Sequence, residues 1–215
     1  MLSPDIVRWI SAGLFLTFVV SAGLFLRPRR ATTPRVVRAA RPLSVVTGPL
    51  WGFIIAVVLA TPLIETIVPN WIYGGPFTVD LPLGSGFQVA GVLLWLSGGG
   101  LALWSIRTLG RFTRPEIEVL TDHELVTSGP YRWIRHPLYT AFLLISAGVA
   151  LLLLNLVSMA LFLGVLGIAR ARAMAEEALL ASESGFGAAY VSYIRGTGRF
   201  LPRLFRRRRH TVRSA

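Results

Sequence analysis

The residue types able to do chemistry gather in two stretches. One is Gly129-Pro130-Tyr131-Arg132-Trp133-Ile134-Arg135-His136-Pro137-Leu138-Tyr139, and the other is Arg172-Ala173-Met174-Ala175-Glu176-Glu177. A long apolar run, broken only around Asn155, separates them. Two consecutive hydrophobic helices would therefore carry His, Arg, Tyr and Glu side chains at their ends. Such groups at the rim of a membrane helix pair hold a polar ligand beside lipid. The chemistry this suits is that of an enzyme with a water-soluble cofactor and a lipid-soluble substrate.

Each residue also has a plainer reading. Pro137 suits the first turn of a helix, where its missing N–H leaves no bond unmade, and this puts His136 at the cap beside the positive end of the helix dipole. For His136 alone, a capping imidazole next to an interfacial Tyr139 is reading enough. Arg172 and Glu176 lie four residues apart and share a helical face, so a simple i,i+4 ion pair would account for them. The argument for a site is convergence: a tight hairpin returns Arg172 and Glu176 to the side of His136 and Tyr139.

The elements that must do this positioning are membrane helices. Hydrophobic residues make up 53% of the 215 positions and charged residues 15%, well below the usual quarter. Mean hydropathy is +0.63. With no cysteine, disulfides, thiolate metal sites and cysteine nucleophiles are excluded. A bilayer core needs about 20 apolar residues, and five segments are predicted to span: 6–26, 48–68, 87–106, 138–154 and 156–169. The first reads as a transmembrane helix rather than a cleaved leader. Ala-rich, Glu-containing sequence continues the last one as helix to about Ala181.

All 22 basic residues are arginine, a bias that fits a GC-rich bacterial genome, and the expected location is the bacterial plasma membrane. Arginines follow the first and third segments, precede the fourth and end the fifth. The 69–86 loop and the Asn155 hinge have none. Five spans with the N-terminus outside place every arginine but Arg8 in the cytoplasm. Trp71, Tyr73 and Phe77 in the 69–86 loop read as an interfacial belt. Gly91 and Gly98-Gly99-Gly100 would let the third helix approach a neighbour closely. Glu65, at the outer end of the second span, is expected to reach interfacial water. The basic tail, with Arg206-Arg207-Arg208-Arg209, is expected to bind anionic lipid headgroups rather than nucleic acid.

Several motifs in order carry a resemblance: Leu125-Val126-Thr127-Ser128-Gly129-Pro130-Tyr131, Arg135-His136-Pro137-Leu138-Tyr139, Arg172…Glu176-Glu177, Phe186-Gly187…Tyr190…Tyr193 and Arg199-Phe200-Leu201-Pro202. Together they resemble the isoprenylcysteine carboxyl methyltransferase family, a pattern much of which bacterial phospholipid methyltransferases share. The resemblance covers residues 116–202, and the first three spans match only in being hydrophobic. It implies an all-α integral membrane methyltransferase of five spans, the fourth and fifth a tight hairpin, with S-adenosylmethionine bound under a cytoplasmic loop and C-terminal segment.

The resemblance also implies roles. Glu116, His123, Glu124, Leu125, Val126, Tyr131, His136, Pro137, Leu138, Tyr139 and Glu176 would bind the cofactor, and Arg172 would face the acceptor. Arg172, His136 and Glu176 would be catalytic, with His136 or Glu176 as base if the acceptor is an amine or hydroxyl. The acceptor would be a lipophilic isoprenoid or lipid carboxylate, hydroxyl or amine. The chain divides into a three-helix region (1–110), a methyltransferase core (111–205) and a basic tail (206–215). A nicotinamide-dependent membrane reductase related to sterol reductases and a non-catalytic membrane scaffold are the competing readings.

Overall fold

The computed structural model describes residues 1–25, 36–39, 41–110, 118–120 and 125–203. Five long helices dominate: α1 (Pro4–Phe25), α2 (Arg41–Ile67), α3 (Gly84–Leu109), α4 (Pro137–Leu153) and α5 (Leu156–Ala181). A short α6 (Ala188–Gly196) follows. The fold is all-helical, as expected, with one small addition: β1 (Val36–Ala39) and β2 (Glu118–Leu120) pair as a short antiparallel ribbon. The strands lie about eighty residues apart and are three or four residues long, so no local alternation announced them.

By length and composition, four helices among the described residues can cross a membrane: α1, α2, α3 and α5. The 17-residue α4 is apolar but shorter, about 25 Å at 1.5 Å per residue against a core of roughly 30 Å. The protein is an integral membrane protein. Its apolar residues face outward as much as inward, as expected where lipid replaces water as the solvent; Trp9, Phe53 and Leu163 are all exposed.

Glycine sets how closely α3 meets α4. A Cβ at Gly91 would stand 2.7 Å from the Gly148 carbonyl oxygen, and one at Gly98 2.7 Å from that of Ala141. Gly148 reciprocates, 2.6 Å from the Gly91 oxygen. Here close backbone approach takes the place of hydrophobic driving force, which is weak between helices in lipid. Gly99 and Gly100 face open space, so only part of the glycine run packs.

One end of the bundle is tied by backbone-directed polar contacts. Leu154 adopts a left-handed conformation, φ 44°. Asn155 caps α5 by accepting from the Val157 N–H (2.9 Å) and donates to the Ile72 carbonyl (2.8 Å). The α4–α5 hairpin is thus as tight as the sequence requires. Glu65 is fully buried rather than bathed in interfacial water: Asn70, Ile72 and Tyr73 donate their backbone N–H groups to it at 3.1, 3.2 and 3.1 Å. Those amides have left the α2 ladder and must find an acceptor. Tyr73 is not a belt residue either; it is buried and its hydroxyl donates to the Leu2 carbonyl at 2.6 Å. Trp71 and Phe77 are exposed.

Candidate active site at the opposite pole

α4 begins as its sequence demands: Pro137 occupies the first turn, His136 is the cap, and the His136 carbonyl accepts the first helical bond from Thr140 at 3.0 Å. The preceding segment winds through a 3-10 turn, Gly129–Arg132, with Gly129 at φ 54°. A C-terminal strap then clips onto it. Gly198 accepts from the Arg135 N–H (2.8 Å) and donates to the Trp133 carbonyl (3.0 Å), and Arg199 accepts from the His136 N–H (3.1 Å). The strap's bend needs glycine at 198, where a Cβ would collide with the Leu201 carbonyl.

α5 brings its two glutamates to this loop in different ways. Val165, Ala169, Ala173 and Glu177 follow one another at four-residue spacing on its buried stripe. Glu177 therefore points inward and becomes a hub. Its Oε1 accepts from Arg135 Nε at 2.9 Å and Arg199 Nε at 3.1 Å, and its Oε2 from Arg199 Nη2 at 2.6 Å. His136 Nε2 stands 3.2 Å from the same Oε1. With two guanidiniums fixing that oxygen as an acceptor, the ring presents Nε2–H to it. Hydrogen bonding to Glu177 raises the Arg199 pKa above its usual value.

Glu176 is only lightly held. Tyr139 donates its hydroxyl to Oε2 at 3.2 Å, His136 Nδ1 lies 3.6 Å away, and a third of the side chain is exposed. The same Tyr139 hydroxyl receives Arg172 Nε at 3.4 Å. Arg172 is 2% exposed and sends Nη1 to the Thr47 hydroxyl of α2 at 3.2 Å. Arg172 and Glu176 are thus joined through a phenol rather than by the direct i,i+4 pair that their spacing allows.

His136, Tyr139, Arg172 and Glu176 converge. Tyr131 is buried near them; burial first, and the Glu176 charge second, push its phenol well above its ordinary pKa. Pro137 is buried in the first turn, and Leu138 is half-buried beside it. Leu125 and Val126 are half-buried ahead of the 3-10 turn and make no hydrogen bond to the cluster among the described residues. Glu116, His123, Glu124 and the basic tail lie outside the described residues.

Sequence reasoning gave no role to Glu177, Arg135, Arg199 or Thr47. The four-residue stripe ending in Glu177 was a usable signal. Thr47 had none, since its helix matched only by hydrophobicity.

The family model of the isoprenylcysteine carboxyl methyltransferase (ICMT) family matches residues 91–182. Those residues are similar to that family. The segment runs from Gly91 of α3 to the end of α5 and contains the four converging side chains. The fold agrees over a longer stretch. The solved structure of the eukaryotic intramembrane Ras methyltransferase ICMT aligns with a TM-score of 0.56 over 94% of this chain and 68% of that one, at 22% identity. The uncharacterized protein YpbQ of Bacillus subtilis (strain 168) is 37% identical over 59 residues, 27% of this chain. That alignment spans about a third of the relative's own length, 35%.

Proposed function

We propose that the protein is an S-adenosylmethionine-dependent integral membrane methyltransferase acting on a lipophilic acceptor. The observation that carries this reading is the meeting of His136, Tyr139, Arg172 and Glu176 at one pole, inside the segment that matches the ICMT family. All five long helices cross the membrane, the N-terminus is outside and this pole is cytoplasmic; the arginines at 107, 132, 135, 170, 172, 195 and 199 support that orientation.

The donor set suits the cofactor. Glu176 has carboxylate capacity to spare and can accept from an ammonium or hydroxyl, whereas Glu177 is fully engaged. When bound, the cofactor supplies a methyl group on a sulfonium. The residues position: in-line transfer depends mainly on holding two reactants in register. Arg172, a planar fork of donors, orients an anionic oxygen. A carboxylate acceptor needs no base. For a hydroxyl or amine acceptor the base is His136 or Glu176, since the lone pairs of Glu177 are committed to arginines.

Titration calorimetry of S-adenosylmethionine into detergent-purified protein tests this reading. Wild type is expected to bind, and Glu176→Gln and His136→Ala to weaken binding by roughly tenfold, the loss of one charge-assisted contact. No binding by a folded, monodisperse wild type overturns it.

A further inference from the structure

Each pole of the bundle carries an arginine stacked on the tryptophan that follows it in sequence. Arg8 stands 5.8 Å from the Trp9 ring at one pole, and Arg132 stands 5.5 Å from the Trp133 ring at the other. Arg8 also donates Nε to the Thr66 carbonyl at 3.1 Å, which ties it to the last turn of α2. Arg132 has no such anchor. Among the described residues its guanidinium makes no hydrogen bond or ion pair, and its one partner is the Trp133 ring.

The Trp133 ring meets that of Trp104 near the end of α3, with centroids 5.9 Å apart and planes at 64°. Both side chains are 46% exposed, and neither indole N–H has an acceptor among the described residues. The loop is fixed there by Gly129, where a Cβ would stand 2.6 Å from Thr108 Oγ1 and 3.2 Å from Trp104 Nε1. Trp104 lies about 30 Å along α3 from Gly84 at 1.5 Å per residue, the thickness of a hydrocarbon core. The patch therefore sits at the membrane–water boundary, the depth at which indoles accumulate. Along the intervening length α3 exposes Phe87, Val89, Leu93 and Leu96 to acyl chains. A cation and two open N–H donors at that depth face lipid headgroups. Guanidinium geometry matches phosphate, and its charge favours an anionic lipid over a zwitterionic one.

We propose that Trp104, Arg132 and Trp133 form a headgroup site for one anionic phospholipid of the adjacent leaflet. The turn that carries it has two faces. Pro130 and Tyr131 are buried on the side of the candidate active site, whereas Arg132 and Trp133 are exposed at the boundary. A lipid bound there seats the turn against the membrane without touching the converging cluster. The site depends on the membrane setting of α3 and not on the chemistry of that cluster.

The test is quenching of the two indoles by dibrominated phospholipids, with the full chain in phosphatidylcholine bilayers. The signal is the emission of wild type minus that of the Trp104→Phe, Trp133→Phe double variant. Dibrominated phosphatidylglycerol is expected to quench it at about a tenfold lower mole fraction than dibrominated phosphatidylcholine, the worth of a charge-assisted contact. In Arg132→Gln the two lipids should quench within about twofold of each other, while Arg132→Lys, which keeps the charge, should retain a preference of about threefold. Arg132 is exposed, so neither variant disturbs the fold. Equal quenching by the two lipids in wild type overturns the headgroup site. So does a preference that survives Arg132→Gln. A preference that disappears when Arg206, Arg207, Arg208 and Arg209 are all replaced by Gln belongs to the basic tail and overturns it too. Loss of the preference on adding inorganic phosphate equimolar to the brominated lipid marks a plain anion site, with the same consequence.

Discussion

The two poles of the bundle each bury a carboxylate, and they satisfy it by different means. Glu65 collects three backbone amides from residues within eight positions of itself. Glu177 collects side chains from Arg135, His136 and Arg199, which lie 22 to 42 residues away. The first arrangement ends a helix and closes a connection. The second joins α5, the loop before α4 and the C-terminal strap, and leaves Glu176 beside it with capacity unused. Backbone amides are fixed once the chain path is fixed, so the Glu65 pole is a frame. The pole of Glu177 depends on side chains, so a single substitution can loosen it.

The most damaging test of that contrast is Glu177→Ala. It leaves the buried Arg135 guanidinium and its neighbours without their shared anion, and breaking such a buried pair by removing one partner costs about 3–5 kcal/mol. Thermal unfolding in detergent should show a large fall in midpoint, and cofactor affinity should fall with it. Glu176→Gln should leave the midpoint within about 0.5 kcal/mol of wild type while weakening the cofactor. Equal losses of stability from both variants would erase the distinction between hub and ligand.

Glu65→Ala comes next. Three amides lose their acceptor in a buried place, at a cost of roughly 1–3 kcal/mol. Cofactor affinity should be unchanged, because nothing at that pole touches the site. A loss of affinity in a folded Glu65→Ala protein would show that the frame and the site are coupled. Glu65→Gln, which keeps one acceptor oxygen, should recover part of the stability.

How far the sequence spoke for each pole follows the same division. Apolar runs marked the helices, Asn155 the hairpin, and Gly91 and Gly98 the close contact of α3 with α4, because these signals are local or periodic. The meeting of His136, Tyr139, Arg172 and Glu176 was legible too, since one short link forces α5 back along α4. Glu65 and Tyr73 were misread because hydropathy places a residue along the membrane normal but says nothing of which face of a helix or loop it occupies. Glu177 and Thr47 were passed over for a related reason. Adjacent glutamates on a helix point about 100° apart, and which one meets Arg135 and Arg199 is decided by a strap arriving from residues 197–203. Thr47 is one of many small polar residues in apolar sequence, and only its distance to Arg172 gives it meaning.

The mildest expected effect is alkaline. At the site pole, burial raises the phenols of Tyr131, Tyr190 and Tyr193; that of Tyr193 is pushed up to about 12 from an ordinary 10. Its hydroxyl, donating to the Tyr131 carbonyl, must stay protonated to do so. A raised folded-state pKa means the native protein holds a proton that the unfolded chain releases. The contribution to stability is therefore complete below pH 10 and is lost as pH climbs through the window from 10 to about 12. That window is unusually clean here, because the chain has neither lysine nor cysteine and arginine keeps its proton beyond it. Unfolding midpoints measured at intervals across this range should fall with pH, and Tyr193→Phe should fall less steeply from a slightly lower start. If the two curves descend in parallel, the alkaline loss does not come from Tyr193, and its hydroxyl is a hydrogen-bond donor with no part in the pH response of that pole.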